Sequence, residues 1–187
     1  MASYRVLWKR WLTFPPDKRY LDCIAALQMP LMLNVDKLIA GFSPRHRFSH
    51  WPNLDLPAVA AGVYAVWDQD ELIYCGMSGR EFEKAVAAAK PKFGLVTRLA
   101  SHASGRLSGD QFCVYVANRL VVPSIKPEQL AMFASGEMTL DRLTKAYIHE
   151  RLDYQFAFAK SSAEAYAIER ECRNGSVFGR KPLLNPL

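Results

Sequence analysis

The sequence predicts a single small α/β domain in which helices flank an antiparallel sheet, and three observations carry that expectation. Residues 62–76 read as a β-hairpin, two strand-rich runs joined by a polar turn. Segments with helical period alternate with strand-like runs through the rest of the chain, in the order β-β-α-β, helices, β, α. The chain has 187 residues, half of them apolar and 22% charged, which suffices for one sizeable core and not for two full domains.

Residues 1–56 are expected to form a basic helical and loop extension. The first 60 residues hold eight basic and four acidic side chains, and Arg5, Lys9 and Arg10 interleave with Trp8 and Trp11. Such a pattern suits a phosphate backbone; an amphipathic arm that docks its tryptophans on the core is the alternative reading. After Pro15 and Pro16, the residues Leu21, Ile24 and Leu27 share one helical face, and Pro30 closes the helix. A second short helix is expected from Leu31 to Ala40, ended by Gly41. Residues 42–57, FSPRHRFSHWPNLDLP, have no period and read as loop, with His46 and His50 as surface histidines rather than metal ligands.

Residues 57–187 are expected to form the main domain. GVYAVW and LIYCG flank the polar turn DQDE, and QFCVYVA at 111–117 reads as a third strand. Between them GLVTRLASHA carries Leu95, Leu99 and Ala103 at helical spacing. TLDRLTKAYIHERL repeats that period with Leu140, Leu143 and Tyr147, with Thr139 placed as N-cap and Asp141 in the first turn. YQFAFA at 154–159 alternates as a strand does, and Ser161 with Glu164 forms a capping-box signature for a helix running to about Arg173.

Composition excludes several classes. The longest apolar runs fall far short of the ~18 residues that span a bilayer, so no transmembrane helix is expected. The amino terminus lacks an apolar core followed by a small-residue cleavage site, which predicts a mature chain starting near Met1. Cys23, Cys75, Cys113 and Cys172 are widely spaced without a CxxC pair, so neither a zinc site nor a disulfide framework is expected and a reducing cytoplasm fits. A net charge of +6 favours an anionic partner without identifying it.

No phosphate-binding glycine loop, nucleophile elbow or HExxH motif is present. The chemistry-bearing residues are sparser. Arg98 and His102 lie four apart on one helix and therefore on one face, where an arginine fork could hold a phosphate and an imidazole could move a proton. A solvated helix face is the competing reading. On the last helix Glu169 falls about 40° from Ala165 at 100° per residue, on the shoulder of the Ala165, Ile168, Cys172 stripe. A carboxylate there suits Mg²⁺, but Glu164 on the opposite shoulder has an equal geometric claim.

In order along the chain, Gly62-Val63-Tyr64, nine intervening residues, Tyr74-Cys75-Gly76, Ser78, Arg98, His102, Glu169 and a terminal PLLN ending at Asn185 resemble the GIY-YIG nuclease superfamily. The resemblance spans residues 57–187 and rests on the ordered combination. It implies a compact catalytic domain with a central antiparallel three-stranded sheet flanked by helices, which cuts nucleic-acid phosphodiesters with one divalent ion, Mg²⁺ or Mn²⁺. Position by position it implies Tyr64 and Tyr74 as the motif tyrosines, Arg98 as the helix arginine, and Glu169 as the metal ligand in preference to Glu164. His102 matches the histidine of the restriction-enzyme branch and Asn185 the late asparagine. Gly62 and Gly76 would admit close backbone approach, and Ser78 would contact phosphate or shape a turn.

The resemblance therefore implies an endonuclease acting on DNA, in restriction, defence or DNA processing, with an inactive nucleic-acid-binding module of the same fold as the alternative. Val63 and Cys75 replace the isoleucines of the motif's name. Twenty-one residues separate Gly76 from Arg98, more than the family usually has, and this insertion near 79–94 carries Lys84, Lys90 and Lys92. A second insertion spans 118–152. These two and the amino-terminal extension are the expected DNA contacts, unless they merely cover the sheet.

Overall fold

A computed structural model describes residues 35–185. The tryptophan-containing arm, the helix expected after Pro16, Cys23 and the first residues of the helix expected from Leu31 lie outside the described residues. Helix α1 spans Val35–Ala40 and stops at Gly41, whose N–H returns to the carbonyls of Lys37 and Leu38.

The polar dipeptide Gln69-Asp70 turns the chain between β2 (Val59–Asp68) and β3 (Glu71–Ser78), with Gln69 at φ 55°, so the expected hairpin forms. β5 (Leu152–Ala159) pairs antiparallel with the other side of β2, which makes β2 central and buries it along both faces. A strand buried on both sides reads as a continuous apolar run, and β2 does. Two short strands extend the sheet to five: β1 (His46–Arg47) pairs with β5, and β4 (Phe93–Gly94) pairs parallel with the start of β2. The protein is thus mixed α/β with three long antiparallel strands at its centre.

The segment read as loop at 42–57 is partly built into this sheet. His46 stacks on Tyr154 and Phe156, and Phe48 is fully buried, so part of the expected amino-terminal extension belongs to the core. His50 is exposed, as expected.

Helices cover both faces of the sheet. On one, α3 (Leu95–Ser104), α4 (Gln111–Val116) and α6 (Leu140–Arg151) bring Leu95, Leu99, Phe112, Cys113, Val116 and Ile148 against Tyr64, Val66, Ile73, Tyr154 and Phe156. On the other, α7 (Ser162–Asn174) sets Ala165, Ile168 and Cys172 against Val63, Ala65, Leu72 and Cys75. The two expected caps are present: Thr139 Oγ1 accepts from Arg142 N–H, and Ser161 Oγ accepts from Glu164 N–H. The first insertion contains α2 (Phe82–Ala87), and the second contains α5 (Pro127–Ala134) as well as α6.

The third strand expected at 111–117 is a correction: those residues form α4 and the start of a π turn at Ala117–Val121. Asp110 caps α4, accepting from the N–H groups of Phe112 and Cys113. Phe112, Cys113 and Val116 then share the buried face, so a short apolar run is satisfied as one helical turn and a half. The strand that completes the sheet is β5.

The edge of β3 is covered by the carboxyl-terminal segment. Leu183 N–H donates to Leu72 O and Leu184 N–H to Ile73 O. Asn185 continues the pattern with its side chain, Oδ1 accepting from Cys75 N–H at 2.7 Å and Nδ2 donating to Cys75 O at 2.8 Å. An edge strand is thereby paired without another chain.

Candidate active site

An open cleft of about 800 Å³ lies over β3, lined by Tyr64, Tyr74, Gly76, Ser78, Arg98, His102 and Glu169. Seven of the nine residues singled out in the sequence therefore meet in one place, although they come from β2, β3, α3 and α7. Helix α7 packs on the opposite face of the sheet from α3, yet the Glu169 side chain still lines the cleft, because β3 is the terminal long strand and residues from both faces reach its edge. Glu164 is instead bound in the cap of α7, its Oε2 accepting from Lys160 N–H at 2.6 Å.

Two expected site residues lie elsewhere. Gly62 does not line the cleft; a Cβ there would meet the Ala157 carbonyl and come within 2.8 Å of Leu95 Cδ1, so its role is to let β5 and α3 close on β2. Asn185 is engaged with the Cys75 backbone, and acts by holding β3 between Tyr74 and Gly76. Gly76 does serve the site. A Cβ there would clash with the Tyr64 hydroxyl and lie 2.6 Å from Tyr64 Cζ, so only glycine leaves room for that ring.

The solvated-face reading of α3 holds for neither residue in full. His102 is 2% exposed, whereas Arg98 is exposed and faces the cleft. The His102 ring is held at both nitrogens: Nδ1 lies 2.7 Å from Asp110 Oδ2, and Nε2 lies 2.8 Å from the Tyr64 hydroxyl. The Phe112 ring packs at 4.5 Å on one side of the imidazole, and the Tyr74 ring meets it edge-on at 6.2 Å.

Burial controls the ionisation of this cluster. It pushes the Tyr64 phenol well above its ordinary value, with Tyr74 adding to the effect and Arg98 opposing it. Burial, then Glu169, pushes Tyr74 up to about 12. Neither tyrosine is a phenolate at neutral pH. Burial lowers the pKa of His102 and outweighs the opposite pull of Asp110, so the imidazole is neutral at pH 7. For Asp110 burial acts upward, but the hydrogen bond from His102 and those from Ser101 and the backbone of Cys113 prevail, and it is ionised. Burial raises Glu169, partly offset by Arg173, 3.7 Å away, and by Arg80.

Asp110, Arg80, Thr97 and Gln111 also line the cleft and were not singled out in the sequence. The signal for Asp110 was its place directly before an apolar run, as an N-cap. Arg80 comes from the first insertion, which contributes residues 79–81 to the rim. No family model, no curated protein and no solved structure matches the chain.

Proposed function

We propose that the chain is a divalent-metal-dependent endonuclease that hydrolyses DNA phosphodiester bonds. One observation carries the reading: Tyr64, Tyr74, Arg98, His102 and Glu169, spread over more than 100 positions of sequence, line a single open cleft beside the exposed guanidinium of Arg80. In-line attack of water on a phosphodiester builds negative charge on the phosphoryl oxygens, which the arginine forks are suited to receive. Tyr64 and Tyr74 form an aromatic wall, their ring centroids 6.3 Å apart.

The donor set fits Mg²⁺ or Mn²⁺ better than zinc. Among the described residues no three His, Cys, Asp or Glu side chains converge as a metal site, and Asp110 is committed to His102 and to the cap of α4. Glu81 on the rim is paired with Lys84 at 3.2 Å, and Glu169, its side chain 15% exposed in the cleft, is the carboxylate best placed for a cation; Mg²⁺ characteristically takes one or two carboxylates and keeps several waters. Bound there, the ion would supply positive charge to the phosphate and the leaving oxygen. Bringing a cation to Glu169 also favours its charged form against the burial that raises its pKa.

The test is supercoiled plasmid with the purified protein and Mg²⁺, beside Glu169→Ala and Arg98→Ala. Nicked or linear product from the wild type alone supports the reading, with discrete fragments indicating a recognition sequence and a smear indicating nonspecific cutting. Binding without cleavage across supercoiled, linear and single-stranded DNA refutes it in favour of an inactive binding module.

A further inference from the structure

Three polar side chains lie in series along one wall of the cleft, from Asp110 through His102 to Tyr64, and they are 2%, 2% and 3% exposed. We infer that Asp110 is a positioning residue of the reaction: it fixes His102 as the Nδ1–H tautomer, so that Nε2 takes the Tyr64 proton as Tyr64 accepts one from the attacking water. The inference rests on the endonuclease reading for the reaction, and on the hydrogen-bond geometry of an ionised Asp110 and a neutral His102 for the tautomer.

The tautomer follows from counting donors. The two oxygens of Asp110 divide their work, Oδ1 accepting from the N–H groups of Phe112 and Cys113 at 3.0 and 3.4 Å, and Oδ2 facing His102 Nδ1. An ionised carboxylate only accepts, so the single ring hydrogen of the neutral imidazole sits on Nδ1. Nε2 is then an acceptor, and the hydroxyl it accepts from is that of Tyr64. The phenol therefore directs its hydrogen away from the cleft and keeps its oxygen lone pairs for a donor on the cleft side. The groups facing His102 are Tyr64 of β2, Tyr74 of β3, Arg98 on its own helix and Asp110 before α4. Of the two charged ones, Arg98 opposes a positive imidazole and Asp110 favours it.

The step balances without a further reactant. Water forms the new P–O bond as one of its protons passes to the Tyr64 oxygen and the Tyr64 proton passes to Nε2. The P–O bond to the leaving oxygen breaks, that oxygen keeps the electron pair and takes a proton from solvent, and the imidazolium beside Asp110 returns its proton to solvent. The net reaction is hydrolysis.

Asp110→Asn separates positioning from folding, because the asparagine Oδ1 keeps the cap of α4 while its amide can only donate toward Nδ1. The ring hydrogen must then move to Nε2, which donates to the Tyr64 oxygen and cannot take its proton. The ring nitrogens of His102 are read by ¹⁵N–¹H long-range NMR correlation, assigned among the four histidines by His102→Gln. The expected result is Nδ1–H in the wild type, Nε2–H in Asp110→Asn, and a kcat for plasmid cleavage lower by about 10²–10⁴-fold with DNA affinity unchanged, the span that positioned proton transfer contributes. Nε2–H in the wild type overturns the inference, and so does an Asp110→Asn enzyme that carries the switched tautomer and cuts within threefold of wild type. A wild-type protein that cuts no DNA removes the endonuclease reading, while the same spectra still decide whether Asp110 sets the tautomer.

Discussion

Gly76→Ala probes the seat of the Tyr64 hydroxyl without replacing any ionisable side chain. The added Cβ would lie 2.6 Å from Tyr64 Cζ where ordinary contact begins at 3.4 Å, and also 3.0 Å from Tyr74 Cε1. The Tyr64 ring must therefore move by about 0.8 Å, or β3 must, and the ring has little freedom between Tyr74 and His102, with centroids at 6.3 and 5.2 Å. Overpacking of this size costs about 1–3 kcal/mol of stability. At about 2–4 °C per kcal/mol for a domain of this length, the melting temperature should fall by roughly 2–12 °C. The same shift stretches or tilts the 2.8 Å bond to His102 Nε2, and a misplacement near 1 Å costs on the order of 10²-fold in rate. Plasmid cleavage at a temperature where the variant is fully folded gives the rate, and circular dichroism gives the melting point. The comparison that isolates cause is Tyr64→Phe against Tyr64→Phe/Gly76→Ala, because a loss transmitted through the hydroxyl disappears once that hydroxyl is gone. Gly76→Ala at wild-type rate and stability would refute the seat. A full additional loss in the Tyr64→Phe background would show that the alanine acts elsewhere.

Three further outcomes are expected. Glu169→Gln should lower Mg²⁺-dependent cleavage by roughly 10²-fold or more and weaken the Mg²⁺ requirement, while Arg98→Ala should also flatten the salt dependence of DNA binding by about one phosphate contact; both are read from cleavage and binding titrations. His102 has a folded pKa below its ordinary 6.5, so its neutral form contributes stability that is fully present above pH 6.5 and lost as pH falls through the folded value; the depressed Asp110 adds loss at still lower pH. Melting temperatures from pH 8 to pH 5 should decline accordingly, less steeply in His102→Gln, and equal slopes would contradict the buried neutral imidazole. Asn185→Ala removes two hydrogen bonds from the backbone of Cys75 and should cost about 2 kcal/mol in urea unfolding, with a cleavage defect following from slack in β3 at Tyr74 and Gly76.

Local structure is legible in the sequence where one rule decides it. The hairpin, α3, α6 and α7 carry an unambiguous period, and Thr139 and Ser161 cap α6 and α7 as their spacing requires. The run at 111–117 is ambiguous because its six consecutive apolar residues, 112–117, satisfy strand and buried helix alike, and the deciding feature is Asp110 in front of it. His46 and Arg47 were illegible for another reason. A two-residue edge strand has no period, and its place is set by β5, more than 100 residues away. The partnership of Asp110 with His102 is close in sequence but equally illegible, since a loop aspartate eight positions beyond a helical histidine matches no fixed spacing.

The series from Asp110 to Tyr64 also argues for function on energetic grounds. Burying a carboxylate, an imidazole and a phenol takes three groups out of water, and a satisfied network recovers that cost without surplus over an apolar core of the same volume. Leu95, Leu99, Phe112 and Ile148 already pack this face of the sheet, so a leucine at His102 and a phenylalanine at Tyr64 would extend the same cluster. Fold stability therefore gives no reason to place a proton-bearing chain here. The reason lies at its open end, where Tyr64 meets the cleft beside Arg98 and Glu169. There the buried side can keep a neutral imidazole aimed at the phenol while the exposed side receives charge, a division that a uniformly solvated site would lose to water and a uniformly apolar wall would not contain.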